Sequence, residues 1–95
     1  MLHTLTHSPF QYDFNAMLRM LASGDDVLLM QDGVLAALKG GQALEFLLAA
    51  PISLYVLRDD LIARGLSAQI SHKAQAISYN EFVALVVKNP QQMTW

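Results

Sequence analysis

The stretch Ile52-Ser-Leu-Tyr-Val-Leu-Arg-Asp-Asp-Leu-Ile-Ala-Arg-Gly65 predicts a buried strand, a turn and a helix that ends at a glycine. Its first six residues are a nearly continuous apolar run rich in branched and aromatic side chains. Such a run is typical of a strand covered on both faces. Asp59 or Asp60 is predicted to cap the helix, because a carboxylate there accepts backbone N–H groups. Gly65 can adopt the left-handed conformation that ends it.

The C-terminal end of this strand is the place where an open α/β sheet usually binds its ligands. Here the position holds Leu57 and Arg58, and neither side chain is a nucleophile. The scaffold of an active site is therefore predicted without the reactive group that would use it.

The rest of the chain repeats the alternation of strand and helix. Strands are predicted within 1–6, at 27–30 and 74–78, with a short edge strand in 91–95. Helices are predicted over 13–23, 34–38, 42–50 and 79–88. Connections of these lengths allow only right-handed crossovers between parallel strands. The expected fold class is α/β: a small three-layer fold with a four- to five-stranded, mainly parallel sheet, helices on both faces, and one domain over 1–95.

Paired acidic residues invite a catalytic interpretation, which their positions disfavour. Asp25-Asp26 and Asp59-Asp60 are neighbours whose side chains point in different directions, and both pairs precede a predicted element. Capping is therefore predicted for both pairs. Ser78 and Glu81 have the spacing of a capping box at the start of the last helix.

The composition is unusually apolar for a small domain. Hydrophobic residues make up 54% and charged residues 15% of the 95 residues, against about 45–50% and about 25% in typical soluble domains. The longest apolar region, 43–57, is interrupted by Glu45, Pro51 and Ser53 and is shorter than the roughly 20 residues of a spanning helix. No secretory signal is visible near Met1. Burial against partner subunits is favoured over membrane insertion.

Charge and cysteine content exclude several classes of function. The net charge is −2 and the six basic residues are scattered singly, whereas direct nucleic-acid binding needs clustered cations. The absence of cysteine excludes disulfides, thiolate metal sites and a persulfide carried by this chain. His3, His7 and His72 are interpreted as polar loop or strand-end residues, so neither a metal site nor a cofactor is expected.

A candidate cleft is predicted where the second strand ends. The turn at 31–34 contains Asp32 and Gly33, and Arg58 follows the third strand at the same edge of the sheet. The turn lacks the glycines and lysine of a phosphate loop. A turn that organises a subunit contact, or lines a cleft shared with a partner, is one interpretation. A small anion- or ligand-binding regulatory module is a second hypothesis for this cleft. An enzyme that uses Asp32 and a histidine for acid–base chemistry is another.

A candidate interface is predicted at the last helix and the tail. The apolar residues of that helix, Phe82 and Val86 among them, cover more than the stripe that one sheet contact requires. Met93 and Trp95 belong to residue types that are enriched at interfaces. These four residues are the candidate contacts with a partner chain, and local core is the alternative for the two on the helix.

The chain resembles the DsrH/TusB-like family of sulfur-relay subunits from end to end. The resemblance is collinear and is carried by the segments Met1-Leu-His-Thr-Leu5, Ser8-Pro9, Leu28-Leu-Met-Gln-Asp-Gly-Val34, Asp60-Leu-Ile-Ala-Arg-Gly-Leu66, Gln69-Ile-Ser71 and Gln92-Met-Thr-Trp95. It implies a DsrEFH-like fold and a cytoplasmic heterohexamer with two copies each of TusB-like, TusC-like and TusD-like subunits. Such a complex passes persulfide sulfur toward TusE and the tRNA thiouridylase, which thiolates the wobble uridine at position 2.

The resemblance also implies that this chain lacks the sulfur-carrying cysteine of a related subunit. In the TusD-like subunit the sulfur-carrying cysteine ends the third strand, eight residues before the glycine of an Arg-Gly pair. Counting eight residues back from Gly65 reaches Leu57. No catalytic residue can be transferred to this chain, and the resemblance implies a non-catalytic structural subunit whose active cysteine lies on a partner.

Overall fold

Five strands form one all-parallel sheet in the computed structural model, which describes residues 1–95. The strands are Leu2–Leu5 (β1), Asp26–Leu29 (β2), Ser53–Leu57 (β3), Gln75–Ile77 (β4) and Gln92–Thr94 (β5). Their order across the sheet is β4-β3-β2-β1-β5, and every neighbouring pair is parallel. The predicted α/β fold is confirmed, including the short edge strand at the end of the chain.

Four α-helices connect these strands. They are Phe14–Met20 (α1), Gln42–Ala49 (α2), Arg58–Ala63 (α3) and Tyr79–Lys88 (α4). The predicted turn at 31–34 and the helical piece after it are one 3₁₀ helix, Gln31–Ala37. The capping box is confirmed, since Ser78 Oγ accepts from the Glu81 N–H while Glu81 Oε1 accepts from the Ser78 N–H. None of the helices is long and apolar enough to cross a membrane.

The strand order places the helices on two faces. The first three crossovers run in one direction across the sheet, and the last returns past β1 to β5. Right-handed crossovers therefore put α1, α2 and α3 on one face and α4 alone on the other. The core agrees: Met17, Leu47 and Leu61 belong to a cluster of 14 buried residues, whereas Leu85 belongs to a separate cluster of 5. The α4 face is thinly covered.

The predicted capping by acidic pairs is wrong at both places. Leu57 occupies the N-cap of α3 without a capping side chain, and Asp59 and Asp60 lie inside the first turn. The Asp60 carboxylate instead accepts the Gln31 N–H at 2.6 Å across the sheet edge. Asp25 and Asp26 stand at the start of β2, where both are buried. Local spacing suggested caps, but long-range partners determine what these carboxylates do.

Gly33 is needed for close packing of the backbone and not for a positive φ. Among the glycines, left-handed φ values occur at Gly24, Gly40 and Gly65, the last of which confirms the predicted helix end. At Gly33 an added Cβ would lie 1.8 Å from the carbonyl oxygen of Leu5. The 3₁₀ helix is thus pressed directly against the end of β1.

Candidate functional site

The most developed polar cluster lies inside the sheet and was not predicted from the sequence. His3 in β1 is 0% exposed. Its Nε2 is 3.0 Å from Asp25 Oδ2, and its Nδ1 is 3.2 Å from the indole Nε1 of Trp95. Because an indole N–H can only donate, Nδ1 must accept, and Nε2 carries the proton donated to Asp25. The interpretation of His3 as a loop or strand-end residue is wrong, and His3 joins the start of β2 to the end of β5.

Asp25 collects the other donors of this cluster. Its Oδ2 accepts the Ala22 N–H at 2.9 Å, and its Oδ1 accepts from the Met1 amino group at 3.2 Å. Burial by itself would raise the pKa of Asp25. The hydrogen bonds from Ala22, His3 and Met1, with the charge of the Met1 amino group, outweigh burial and hold the pKa below its usual range. Asp25 is therefore a carboxylate at neutral pH.

The neighbouring carboxylate serves the opposite face. Asp26 is 2% exposed and points toward α4, since successive side chains of a strand alternate between faces. Its Oδ2 accepts from Asn89 Nδ2 at 3.0 Å and lies 3.3 Å from Lys88 Nζ. Asp25 and Asp26 thus anchor elements on both sides of β2.

The three predicted cleft residues have separate environments in the structure. Asp32 Oδ1 accepts from Arg64, with distances of 3.1 Å to Nη2 and 3.3 Å to Nε. Arg58 begins α3 and is exposed, while Gly33 is buried under β1. None of the three predicted residues lines either of the two cavities described below. Asp32 ties the 3₁₀ helix to α3 through Arg64.

One cavity lies on the α4 face, which is thinly covered. It has a volume of about 350 Å³ and opens beside α4, above β3 and β4. Tyr55 and Ile77 form its floor, and Glu81 and Lys88 stand on the helix beside it. The hydrogen bonds with Ser78, followed by the charge of Arg58, hold the pKa of Glu81 below its usual range.

Another cavity is an uncharged groove on the opposite side of the molecule. It has a volume of about 340 Å³, lies between the 9–15 segment, the 3₁₀ helix and the start of α2, and is lined largely by apolar side chains. Phe10, which is 90% exposed, stands at this groove with Phe14 and Phe46. This aromatic surface was absent from the predicted interface.

The predicted interface residues on α4 divide into two groups. Phe82 and Val86 are half-buried and pack against the smaller core cluster. The exposed large apolar residues of α4 are Tyr79, Val83 and Val87, the last of which is 80% exposed. Their spacing of four places them along one stripe of the helix. We call Tyr79, Val83 and Val87 the α4 stripe.

The two tail residues of the predicted interface differ in environment. Met93 in β5 is exposed, at 37%, whereas Trp95 is half-buried beside His3. The indole and imidazole rings are stacked, with centroids 6.5 Å apart and planes inclined by 23°. Trp95 has a defined place inside this chain, and Met93 is available at the surface.

The other histidines contribute no site. His7 and His72 are exposed, and no hydrogen bond or ion pair joins Asp32 to any histidine. The structure contains no cluster of three or more histidine, aspartate or glutamate residues that could hold a metal ion. No arrangement for acid–base catalysis by Asp32 and a histidine is formed.

Leu57, the position at which the resemblance would place a thiol, is 6% exposed and packs in the smaller core cluster under α4. A cysteine introduced there is expected to react with a disulfide reagent about tenfold or more slowly than one at the adjacent, exposed position 58, because a thiol must be reached in order to react. The measurement compares Leu57→Cys with Arg58→Cys, and the wild type supplies no background since it contains no cysteine. Equal reaction rates would show that position 57 is accessible.

Comparison with known proteins identifies the family. The family model described as "DsrH like protein" matches residues 7–92. The chain is 63% identical to Protein TusB of Erwinia tasmaniensis, 59% identical to that of Serratia proteamaculans and 56% identical to that of Escherichia coli K12, in each case over the whole of both chains.

Solved structures support the fold. The crystal structure of the ychN protein from E. coli superposes with a TM-score of 0.77 at 16% identity and covers 99% of this chain and 97% of its own. The solution structure of Tm0979 from Thermotoga maritima gives a TM-score of 0.69 at 28% identity and covers 96% and 97%. The first likeness concerns the fold alone, whereas the family model and the curated relatives establish descent. The chain belongs to the DsrH-like family.

Proposed function

We propose that this chain is a non-catalytic structural subunit of a cytoplasmic sulfur-relay complex. In that complex the outer sulfur of a cysteine persulfide on a TusD-like subunit is transferred to the thiolate of TusE and leaves the first cysteine as a thiolate. TusE then supplies the tRNA thiouridylase that makes 2-thiouridine at the wobble position. The chain takes part as a single domain, 1–95, in a heterohexamer with two copies each of itself and of TusC-like and TusD-like subunits.

The observation that carries this proposal is the 63% identity, over the full length, to a protein named TusB in a chain that contains no cysteine. A persulfide carrier needs a thiol, so the chemistry is assigned to a partner. The exposed apolar residues of α4 and of the 9–15 segment provide the surface that a subunit buries in an assembly. The chain itself binds neither nucleic acid nor membrane in this proposal.

Assembly with the partners is the direct test. Co-expression with the TusC-like and TusD-like chains of the same organism is expected to give one complex by size-exclusion chromatography. Deleting the gene is expected to abolish 2-thiouridine in tRNA, although this chain carries no sulfur. A stable complex of the two partner chains that thiolates tRNA at the normal rate without this chain would contradict the proposal.

The α4 stripe is the proposed contact. The double variant Val83→Asp/Val87→Asp is expected to weaken assembly by about a hundredfold or more, because two carboxylates would be buried in an apolar interface. Both side chains are exposed in the free chain, so its circular dichroism and thermal unfolding are expected to change little. The matched control is Ser67→Asp/Ala68→Asp, which adds the same charge on an exposed turn. If the control weakens assembly equally, net charge and not the α4 stripe is responsible.

A further inference from the structure

The hydrogen bonds through His3 have a fixed direction. The Trp95 indole donates to Nδ1, and Nε2–H donates to Asp25. This arrangement requires a neutral imidazole of one tautomer. A second proton on His3 has only one place to bind, which is Nδ1, the nitrogen that receives the indole N–H.

Protonation therefore acts in opposite ways on the two partners of His3. An imidazolium keeps its Nε2–H bond to Asp25 and gains the attraction between opposite charges. At Nδ1 it presents a second donor to the Trp95 indole N–H, which is 3.2 Å away and cannot accept. The ion pair with Asp25 strengthens while the contact with Trp95 is lost.

The groups around His3 provide no alternative acceptor for Nδ1. Asp25 is on the Nε2 side, and the Met1 amino group is bonded to Asp25. The register neighbours of His3 on the adjacent strands are Val27 and Met93, whose side chains are uncharged. The second buried carboxylate, Asp26, faces α4 on the other side of the sheet.

Few other contacts hold β5 in place. All of its residues are exposed. Besides backbone pairing, Thr94 Oγ1 bonds Thr4 Oγ1 at 3.0 Å, and the Trp95 carbonyl accepts from Thr6 Oγ1 at 2.9 Å. Gln92 Nε2 donates to two carbonyl oxygens at the end of α4, those of Val86 and Asn89, each at 3.4 Å. The stacked indole is the one large side chain that β5 and the residue after it place against the main core.

We propose that the contact between His3 and Trp95 is controlled by a proton: protonation of His3 expels the indole and loosens β5. The geometry of donors and acceptors carries this proposal independently of the sulfur-relay function.

The test uses the intact protein and its single tryptophan. Nitrogen-15 NMR at neutral pH is expected to show His3 as the Nε2–H tautomer. As the pH is lowered, the Trp95 indole resonance should shift with the same midpoint as the His3 ring. The protection factor of the indole N–H against hydrogen exchange should fall about three- to tenfold, as expected for one hydrogen bond. Backbone protection in β5 should fall with it.

Two variants assign the effect. His7→Gln/His72→Gln changes only exposed histidines and leaves His3 as the sole one, so the response of Trp95 should be unchanged. His3→Gln should abolish it; if that variant does not fold, the double variant still identifies the titrating group. An Nδ1–H tautomer, an indole signal that stays constant while His3 titrates, or a His3 that remains neutral until the protein unfolds would each overturn the proposal.

Discussion

Replacing Gly33 by alanine is expected to lower the free energy of unfolding by about 3 kcal/mol or more. The new Cβ would lie 1.8 Å from the carbonyl oxygen of Leu5 and 2.6 Å from its carbonyl carbon. Both atoms are backbone, so no flexible side chain can move aside. The clash can be relieved only if β1 and the 3₁₀ helix move apart.

That separation would disturb the centre of the molecule. The Leu5 carbonyl accepts the Met30 N–H at 3.0 Å, and Leu5 itself is fully buried in the main cluster. Moving this end of β1 opens the core where β1 and β2 meet. A domain of this size has only about 5–15 kcal/mol of stability to lose, so the variant should unfold at a much lower urea concentration.

Gly40→Ala is the matched control for Gly33→Ala. Gly40 has a φ of +76°, and an added Cβ would meet nothing within 4 Å. Gly40→Ala is expected to lower the free energy of unfolding by about 1–2 kcal/mol, because alanine is strained in the left-handed backbone conformation. Urea denaturation of both variants separates the clash from conformational strain. A Gly33→Ala protein as stable as Gly40→Ala would mean that β1 and the 3₁₀ helix can move apart without loss.

Much of the fold could be predicted because its signals are local. The capping box at Ser78 joins residues three apart, Gly65 follows the last turn of its helix, and Val27 to Leu29 form an apolar run too short for anything but a buried strand. Crossover handedness then converts the order of elements into a parallel sheet with helices on both faces. Each of these inferences uses neighbours in the chain.

The polar cluster could not be predicted, because its partners are distant in the sequence. Asp25 is 22 residues from His3, and Trp95 is 92 residues from it. The same distance explains the wrong capping prediction, since Asp25 and Asp60 have the residue type and position of caps but bond to groups across the sheet. The alternation of β1 did contain one usable signal: a histidine between Leu2 and Leu5 in a buried strand requires polar partners.

The structure also shows that the usual ligand-binding end of this architecture and the main polar cluster lie at different ends of the sheet. The carboxyl end of β3, where this architecture usually holds chemistry, is closed by Leu57 under α4. The buried polar cluster lies instead toward the amino ends of β1 and β2, where its hydrogen bonds hold strands together. Polar contacts placed in this way stabilise the arrangement of the strands. This agrees with the proposed role as a structural subunit.

Asp25→Ala is expected to cost about 3 kcal/mol of stability at neutral pH. It removes the acceptor of three donors at once, namely the Ala22 N–H, the His3 Nε2–H and the Met1 amino group. Donors left unpaired in a buried site carry the full cost of their desolvation. Urea denaturation at neutral pH measures the loss. The control Asp59→Ala removes an exposed carboxylate from the first turn of α3 and should cost less than about 1 kcal/mol.

The pH dependence of the stability difference between wild type and Asp25→Ala tests whether Asp25 is ionised in the folded chain. The pKa of Asp25 is lowered from 3.8 in the folded chain, so the stabilisation is fully present above the unfolded value. It is lost as the pH falls through the folded pKa. The gap in stability between wild type and Asp25→Ala should therefore narrow as the pH falls below about 4. A gap that stays constant or widens below about pH 4 would mean that the folded chain does not hold Asp25 as a carboxylate, and the hydrogen-bond directions assigned around His3 would then be wrong.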